Sequence, residues 1–596
     1  MIKKYKKILS VICCFVFVIG STISLAACSE KEKTSYDIVY DLNYEGETNR
    51  IVNIPSGAAV IDWQPSRPGY ELVGWYTDPN FTRKYDFNKK AGANLTLYAK
   101  WKKAENSAVI TFDANFRGKS KNTVATVSIG DFIYESFAPQ INRLGYEFTG
   151  WYEDAECTVA WDFNKKVSED TTLYAGYKRD NSVKRDADGN PVFDNITVNV
   201  WISWTGIRND NVLWSLAKAF NNDARYKGKI RINATSDLTS QDLYSARFQK
   251  TIGKNETDDM YYSVDEVFGL ANIDYAESDW YEKAKRESYV EGKMGSVPIA
   301  ASVPYLLYNK RLMAKYNGEN ALPSTYSEFS TLLQKAYRGE RTNNEEFRSI
   351  ITCKDGAYSD TTSYAAFLQN SADYYSYENG KYINKWNDSE DNFNSAVTAL
   401  TNTYNMFGAG GDNYGMLCSR YDDETVSRQI INGNALVGII NEPQTILDLY
   451  NRKDIGVLPL SGLFADDGEQ KNQIPVQTIG LAFYKAANVT NTELAAAGVF
   501  ADYVSKNSYL FAQNGWYPLN KSVVESDKFQ NSDNGIVTYL RQIGDPSNFR
   551  TLDGHTNGSF FLGNIASKQY VIPMLQGNGD NIADCVEKIA TSMNNM

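Results

Sequence analysis

The stretch Val297-Pro298-Ile299-Ala300-Ala301-Ser302-Val303-Pro304-Tyr305-Leu306-Leu307-Tyr308-Asn309-Lys310 decides how the rest of the chain is read. Its apolar residues form a nearly continuous run, and Pro298 and Pro304 forbid a regular helix through it. It reads as an extended crossing strand, the kind that carries a chain from one α/β lobe to another. A cleft then lies beside it.

The surroundings agree. From Asn195 onward strand and helix patterns alternate: a strand rich in β-branched residues over 196–202, helical spacing of apolar positions over 212–220, a strand over 229–234, a helix over 238–252 and a third strand over 260–264. That third strand leads into Glu266-Val267-Phe268-Gly269. Such alternation predicts mainly parallel sheets flanked by helices, with ligands at the carboxyl ends of the strands.

Upstream lies an internal repeat. Gly69-Tyr70 recurs as Gly145-Tyr146, Gly74-Trp75-Tyr76 as Gly150-Trp151-Tyr152, and Asp86-Phe87-Asn88-Lys89-Lys90 as Asp162-Phe163-Asn164-Lys165-Lys166, all at one constant offset. Leu97-Tyr98-Ala99-Lys100-Trp101 and Leu173-Tyr174-Ala175-Gly176-Tyr177 close the two copies. Alternating aromatic and polar residues between Gly, Pro and Asn indicate short strands, so each copy is a small β-rich module over 36–103 and 106–179. Trp75, Trp151, Phe87 and Phe163 are its expected core, because a module this small has little else to bury. The two modules are expected to act as a stalk, with 180–194, around Gly189-Asn190-Pro191, as the linker.

At the start, Lys3, Lys4, Lys6 and Lys7 precede an apolar run over 8–23, and Leu25-Ala26-Ala27-Cys28 closes it with small residues. This is the pattern of a secretory signal peptide over 1–27, followed by a polar tether over 28–35. No second stretch is long and apolar enough to span a bilayer.

The bulk numbers exclude several classes. A chain of 596 residues is too long for one core. Its formal net charge is −11, more negative still without the basic leader, which argues against nucleic acid as a partner. With a single histidine, His555, multi-histidine zinc sites are ruled out, and no Gly-x-Ser-x-Gly lies near it to suggest a hydrolase triad. Apart from Cys28 and the leader's Cys13 and Cys14, the cysteines Cys157, Cys353, Cys418 and Cys585 are scattered without metal or disulfide spacing. No cofactor is expected.

Three resemblances follow from these residues. The end of the leader is similar to a lipobox, which implies that Cys28 becomes the lipidated, palmitate-bearing first residue of the mature protein. The pattern Pro-Gly-Tyr, Gly-Trp-Tyr, Tyr-Asp-Phe and Leu-Tyr-Ala-Lys-Trp resembles the internalin-type B-repeat, a β-grasp-like unit. The Val297–Lys310 stretch, with Tyr377-Glu378-Asn379-Gly380-Lys381-Tyr382 and a helix over 389–406, the helix, turn and strand over 429–444, the strand over 455–460, Gly480-Leu481-Ala482-Phe483, a helix over 492–505 and Gly515-Trp516-Tyr517-Pro518-Leu519-Asn520-Lys521, resembles the extracellular family 1 solute-binding proteins of ABC importers, carbohydrate class and maltodextrin-binding-like. The likeness spans 195 to about 590 and implies an α/β, two-lobed periplasmic-binding-protein-like fold of type II with a hinge near 297–308.

The resemblance also implies a site. Sugar sites of this kind pack a pyranose on aromatic faces and hold its hydroxyls with carboxylates and amides. The expected ligand-binding residues are Trp204, Glu266, Ser302, Tyr305, Tyr364, Phe367, Glu442, Gln444, Trp516 and Tyr517, with Trp386 and Tyr374-Tyr375 as neighbours. Two usual platforms are missing, since Gln444 and Ile479 stand where Trp is common, and Glu442 replaces a small residue before Pro443. The leading reading is a monomeric, lipid-anchored receptor on the extracellular face of the cytoplasmic membrane, capturing an oligosaccharide by lobe closure and passing it to an ABC permease. Two readings stand beside it: a surface adhesin or carbohydrate-binding protein that uses the repeats, and a glycoside-processing enzyme, which needs two carboxylates about 5–5.5 Å or 6.5–9.5 Å apart.

Overall fold

In the computed structural model the described residues are 35–44, 49–118, 122–202, 209–236, 244–249, 260–285, 288–290, 293–318, 322–353, 362–370, 375–378, 381–408, 415–418, 423–441, 443–486, 488–551, 568–578 and 581–594. They form two compact units, one ending at Ala108 and the other running from Val109.

The first unit is the first repeat. Its strands β1 (Ser35–Asp41), β2 (Arg50–Pro55), β3 (Tyr70–Tyr76) and β4 (Leu95–Lys103) pair in the order β2-β1-β4-β3. Trp75 is fully buried, its indole N–H donating to the Trp63 carbonyl at 2.7 Å and its ring 5.0 Å from Tyr40. The second repeat, β5 (Ser107–Asp113), β6 (Thr123–Ser128), β7 (Tyr146–Tyr152) and β8 (Thr171–Arg179), has the same order, β6-β5-β8-β7. Trp151 fills the matching place, donating to the Pro139 carbonyl at 3.2 Å. Phe87 and Phe163 are half-buried rather than central, and Trp161 takes the deeper position in the second copy.

The segment expected as a linker is folded. Gly189 and Asn190 make a tight turn whose amides, from Asp188 and Asn190, bond to the Asp186 carboxylate at 3.0 and 2.8 Å, and Val183 before it is buried. Turn chemistry that reads as flexible in sequence is here a short, capped hairpin.

The first lobe is a sheet built from β9 (Ile196–Ile202), β10 (Ile230–Thr235), β11 (Ala246–Gln249) and β12 (Tyr261–Tyr262), with a small hairpin of β13 (Tyr289–Val290) and β14 (Lys293–Met294) leading into β15 (Ser296–Ser302). After Val303-Pro304 the chain enters the second lobe as β16 (Tyr305–Asn309), which joins β17 (Arg348–Cys353), then the hairpin β18 (Tyr375–Glu378) and β19 (Lys381–Asn384), β20 (Gly415–Cys418), β21 (Ala435–Ile440) and β22 (Ile455–Pro459). It returns through β23 (Ile474–Pro475) to β24 (Gln477–Tyr484) and β25 (Tyr517–Pro518), and β26 (Phe549–Arg550) pairs with β23. Among the described residues the first lobe has the order β10-β9-β11-β24-β15-β25 and the second β20-β17-β21-β16-β22.

All seven residues of β15 are buried, as a strand covered on both faces requires. Val198, Val200 and Ile202 of β9 face the core with Phe220 of the Asn209–Asn222 helix, while Asn199 and Trp201 point to the other face. One expectation is corrected here. Of the helix expected over 238–252, the described residues 246–249 form β11 instead, in which Ala246 and Phe248 alternate inward and Arg247 outward, and this period of two wins where the strand is flanked by β9 and β24. The Glu390–Phe407 and Asn491–Lys506 helices agree with the sequence reading within one or two residues.

Candidate functional site

The junction of the lobes is built from side chains that bond to backbone. Ser302 Oγ donates to the Asn441 carbonyl at 2.6 Å, and the Asn441 amide donates to Asp423 Oδ2 at 2.8 Å. Buried Gln369 holds the return path with its whole amide: Nε2 donates to the carbonyls of Leu460 and Gln473 at 2.8 and 3.1 Å, and Oε1 accepts from the amides of Leu463 and Phe464 at 3.1 and 3.0 Å. Lys283 of the first lobe donates to Gln473 Oε1 at 3.1 Å. Gly515, at φ +85°, sits against the Pro443 carbonyl so closely that a Cβ there would overlap it. The lobes therefore touch through backbone at this point.

The described members of the sequence-predicted site are buried or bonded within the fold. Glu266 is the third residue of the Val264–Ala271 helix, and its carboxylate accepts from the Ser263 amide and hydroxyl at 2.9 and 3.0 Å in a capping box. Ser302 is the junction residue just described. Tyr305 is fully buried on β16. Tyr364 and Phe367 are buried in the second lobe, with the Phe367 ring 4.2 Å from Trp386. Trp516 and Tyr517 lie in the first lobe's core, where the Tyr517 ring is 5.6 Å from Phe529 and 4.8 Å from Phe549, and burial pushes its phenol well above the ordinary range. Trp204, Glu442, Tyr374, His555 and Cys28 lie outside the described residues, as do the side chains of Gln444, Tyr375 and Cys418.

Among the described residues a different group lines a small, open recess on the first lobe: Trp201, Tyr244, Arg247 and Tyr484. Trp201 and Arg247 are register partners on β9 and β11, and the guanidinium lies 4.6 Å from the indole centroid. Arg247 Nη1 donates to the Tyr261 phenol at 3.3 Å, and the Tyr261 and Tyr484 rings meet edge-on at 5.5 Å. Aromatic faces beside a fixed guanidinium can pack the C–H face of a ring and donate to its oxygens. Sequence reasoning took Trp204 and passed over Trp201. The available signal was parity: Asn199 and Trp201 are the polar and aromatic members of a strand whose alternate residues are Val, Val and Ile.

Among the described residues no group of His, Cys, Asp and Glu is placed to hold a metal ion, and no helix is long and apolar enough to cross a membrane. Cys353 and Cys585 are buried, and Cys157 is half-buried.

Residues 36–100 and 109–176 match the Listeria-Bacteroides repeat domain family. Internalin H of Listeria monocytogenes serovar 1/2a is 32% identical over 155 residues, 25% of this chain and 26% of that protein. A protein of Evansella cellulosilytica described as a Gly-rich membrane protein is 34% identical over 146 residues, 24% of this chain and 16% of its own length. The matches thus span about a quarter or less of these relatives. Among solved structures, the GacH receptor of Streptomyces glaucescens GLA.O, determined unliganded and in complex with acarbose and an acarbose homolog, superposes with a TM-score of 0.50 at 14% identity over 67% of this chain and 97% of its own. UgpB of Mycobacterium tuberculosis in complex with glycerophosphocholine does so at 0.50 and 15% identity over 67% and 97%. The chain carries Listeria-Bacteroides repeats ahead of a two-lobed α/β fold of the solute-binding-protein kind.

Proposed function

We propose that this protein is a lipid-anchored, extracellular receptor that captures a carbohydrate between its lobes and delivers it to an ABC permease. The observation that carries this reading is the recess of Trp201, Tyr244, Arg247 and Tyr484 on a lobe joined to its partner by crossing strands. Acarbose, bound by the GacH receptor, is consistent with an oligosaccharide, and glycerophosphocholine, bound by UgpB, with a smaller polyol head. Trp204, Glu442 and Gln444 are proposed to line the same crevice from the carboxyl end of β9 and the end of β21. Cys28 is the proposed lipid attachment point, and no bond of the solute is broken.

Isothermal titration of the chain with a panel of oligosaccharides tests the reading. Binding is expected, weakened at least about tenfold by Trp201→Ala if one aromatic platform is lost. Silence toward every sugar, with binding of another solute, removes the carbohydrate assignment. Release of reducing ends from a polysaccharide would establish an enzyme instead.

A second reading draws on the repeats. Between Ile133 and Pro139 the second copy is longer than the first, and there Tyr134 and Phe137 stand 62% and 78% exposed. An adhesin loses its partner when 36–178 are deleted, whereas a receptor keeps its solute.

A further inference from the structure

The second repeat grips one helix of the first lobe by both ends. At the amino end of the Val264–Ala271 helix, Arg117 Nε pairs with Asp265 Oδ1 at 2.8 Å, and its guanidinium lies 4.6 Å from the Tyr275 ring. The Tyr275 hydroxyl donates to the same carboxylate oxygen at 2.8 Å. A second acid, Glu277, faces Arg117 at 3.5 Å. At the carboxyl end, Gly145 lies so close to Leu270 that a Cβ would overlap it, and Leu144 packs among Val183, Leu270 and Leu494. Arg185 Nη2 donates to the Leu270 carbonyl at 2.6 Å, which satisfies one of the helix's terminal carbonyls.

The first repeat cannot make the same contacts. Where the second has Asp113-Ala114-Asn115-Phe116-Arg117-Gly118, the first has Asp41-Leu42-Asn43-Tyr44-Glu45-Gly46, and where the second has Leu144-Gly145-Tyr146 the first has Pro68-Gly69-Tyr70. The alignment is fixed by Asn43 and Asn115, whose side chains donate to the equivalent carbonyls of Ala99 and Ala175. Charge at one position is reversed, and the apolar plug at the other is replaced by proline. The two copies share a fold and differ at the residues that touch the lobe.

We propose that the second repeat is a fixed clamp on the first lobe rather than a spacer, with Arg117 as the positioning residue for the Val264–Ala271 helix. The repeat and lobe then move as one body, and closure is the motion of the second lobe against it. The clamp also sets β12, whose Tyr261 phenol accepts from Arg247 at the recess. The assignment does not rest on which solute is bound.

Hydrogen exchange on the full chain tests it. Arg117→Gln is expected to speed exchange of the 264–271 amides about threefold, the scale of a half-exposed ion pair, while β8 stays protected. Arg117→Lys, which keeps the charge, should recover most of the protection. Asp265→Asn should speed the same amides, and the double variant should exchange more slowly than the product of the two single effects predicts. Leu144→Ala reads the other end of the helix by the same signal and serves if Arg117→Gln does not fold. The proposal is overturned if Arg117→Gln, or Leu144→Ala in its place, leaves the 264–271 amides unchanged, or if the Arg117 and Asp265 effects simply multiply.

Discussion

The hydroxyl of Ser302, on the strand that leaves the first lobe, donates to the main-chain carbonyl of Asn441, which follows the central strand of the second, at 2.6 Å. One short side chain thus ties the crossing strand to the residue that follows β21. Ser302→Ala is expected to lower stability by about 1 kcal/mol, the usual net worth of such a bond, as a shift of the urea midpoint without change in slope. A midpoint equal to the parent's would show that solvent replaces the bond.

Gly515 stands at φ +85° against the Pro443 carbonyl. Gly515→Ala adds a strained backbone and an overlap with the opposite lobe, so it should cost more than about 1 kcal/mol and open the unliganded molecule. Small-angle scattering reads the second effect as a larger radius of gyration. An unchanged radius with unchanged stability would mean the lobes do not meet there in solution.

Much of the architecture could be read from local pattern. The prolines and the apolar run around Ser302 identify the crossing strand, and the recurrence of Gly74-Trp75-Tyr76 as Gly150-Trp151-Tyr152 gives the repeats, because each motif is carried by residues within a few positions of one another. The candidate site was less legible. Glu266 was read as a ligand carboxylate, although Ser263 three residues earlier gives it the signature of a capping box. Trp516 and Tyr517 read as loop aromatics, yet both are buried, Tyr517 against Phe529 and Phe549, which come from later in the chain. The Arg247 and Trp201 pair depends on the register of β9 and β11, which no spacing within either strand reveals.

Gln369 offers a sharper stability test. Gln369→Leu keeps the volume but leaves the Leu463 and Phe464 amides and the Leu460 and Gln473 carbonyls without their partner. The expected loss is about 3 kcal/mol or more, since each stranded buried group costs on the order of 1 kcal/mol. Gln369→Glu keeps the two acceptances and should cost less at acidic pH than at neutral pH, where a charge is buried.

Glu340 provides a pH signature in the second lobe. Burial works to raise its carboxyl, but bonds from Lys315 Nζ at 2.6 Å and from the Tyr316 hydroxyl at 2.8 Å outweigh it and hold the group below the ordinary 4.5. A depressed value contributes stability that is present above the ordinary value and lost as pH falls through the folded one. Glu340→Gln should therefore cost something under about 1 kcal/mol at pH 7, because Lys315 is half-exposed, with the difference vanishing in acid. A gap that stays constant down to pH 3 would rule out the pairing as its source.

In the second repeat the buried Trp161 indole N–H has no acceptor among the described residues, and the first repeat carries Tyr85 at the matching place. Trp161→Tyr is expected to change stability by less than about 1.5 kcal/mol, as a swap of large aromatic groups that leaves no new polar atom stranded. A loss of about 3 kcal/mol or more would mean the indole's full volume is needed there.

The return strand β24 sits between β11 and β15, so Leu481 is the cross-strand neighbour of both Phe248 and Val297. Ribosomal synthesis has to pass Tyr484 before the amino-terminal lobe can close its own sheet. Until then the nascent polypeptide presents two unpaired apolar edges, a period in which chaperone binding or export machinery competes with self-association. Polypeptides terminated just before residue 477 should accordingly be insoluble, even though most of that lobe's sequence is already present.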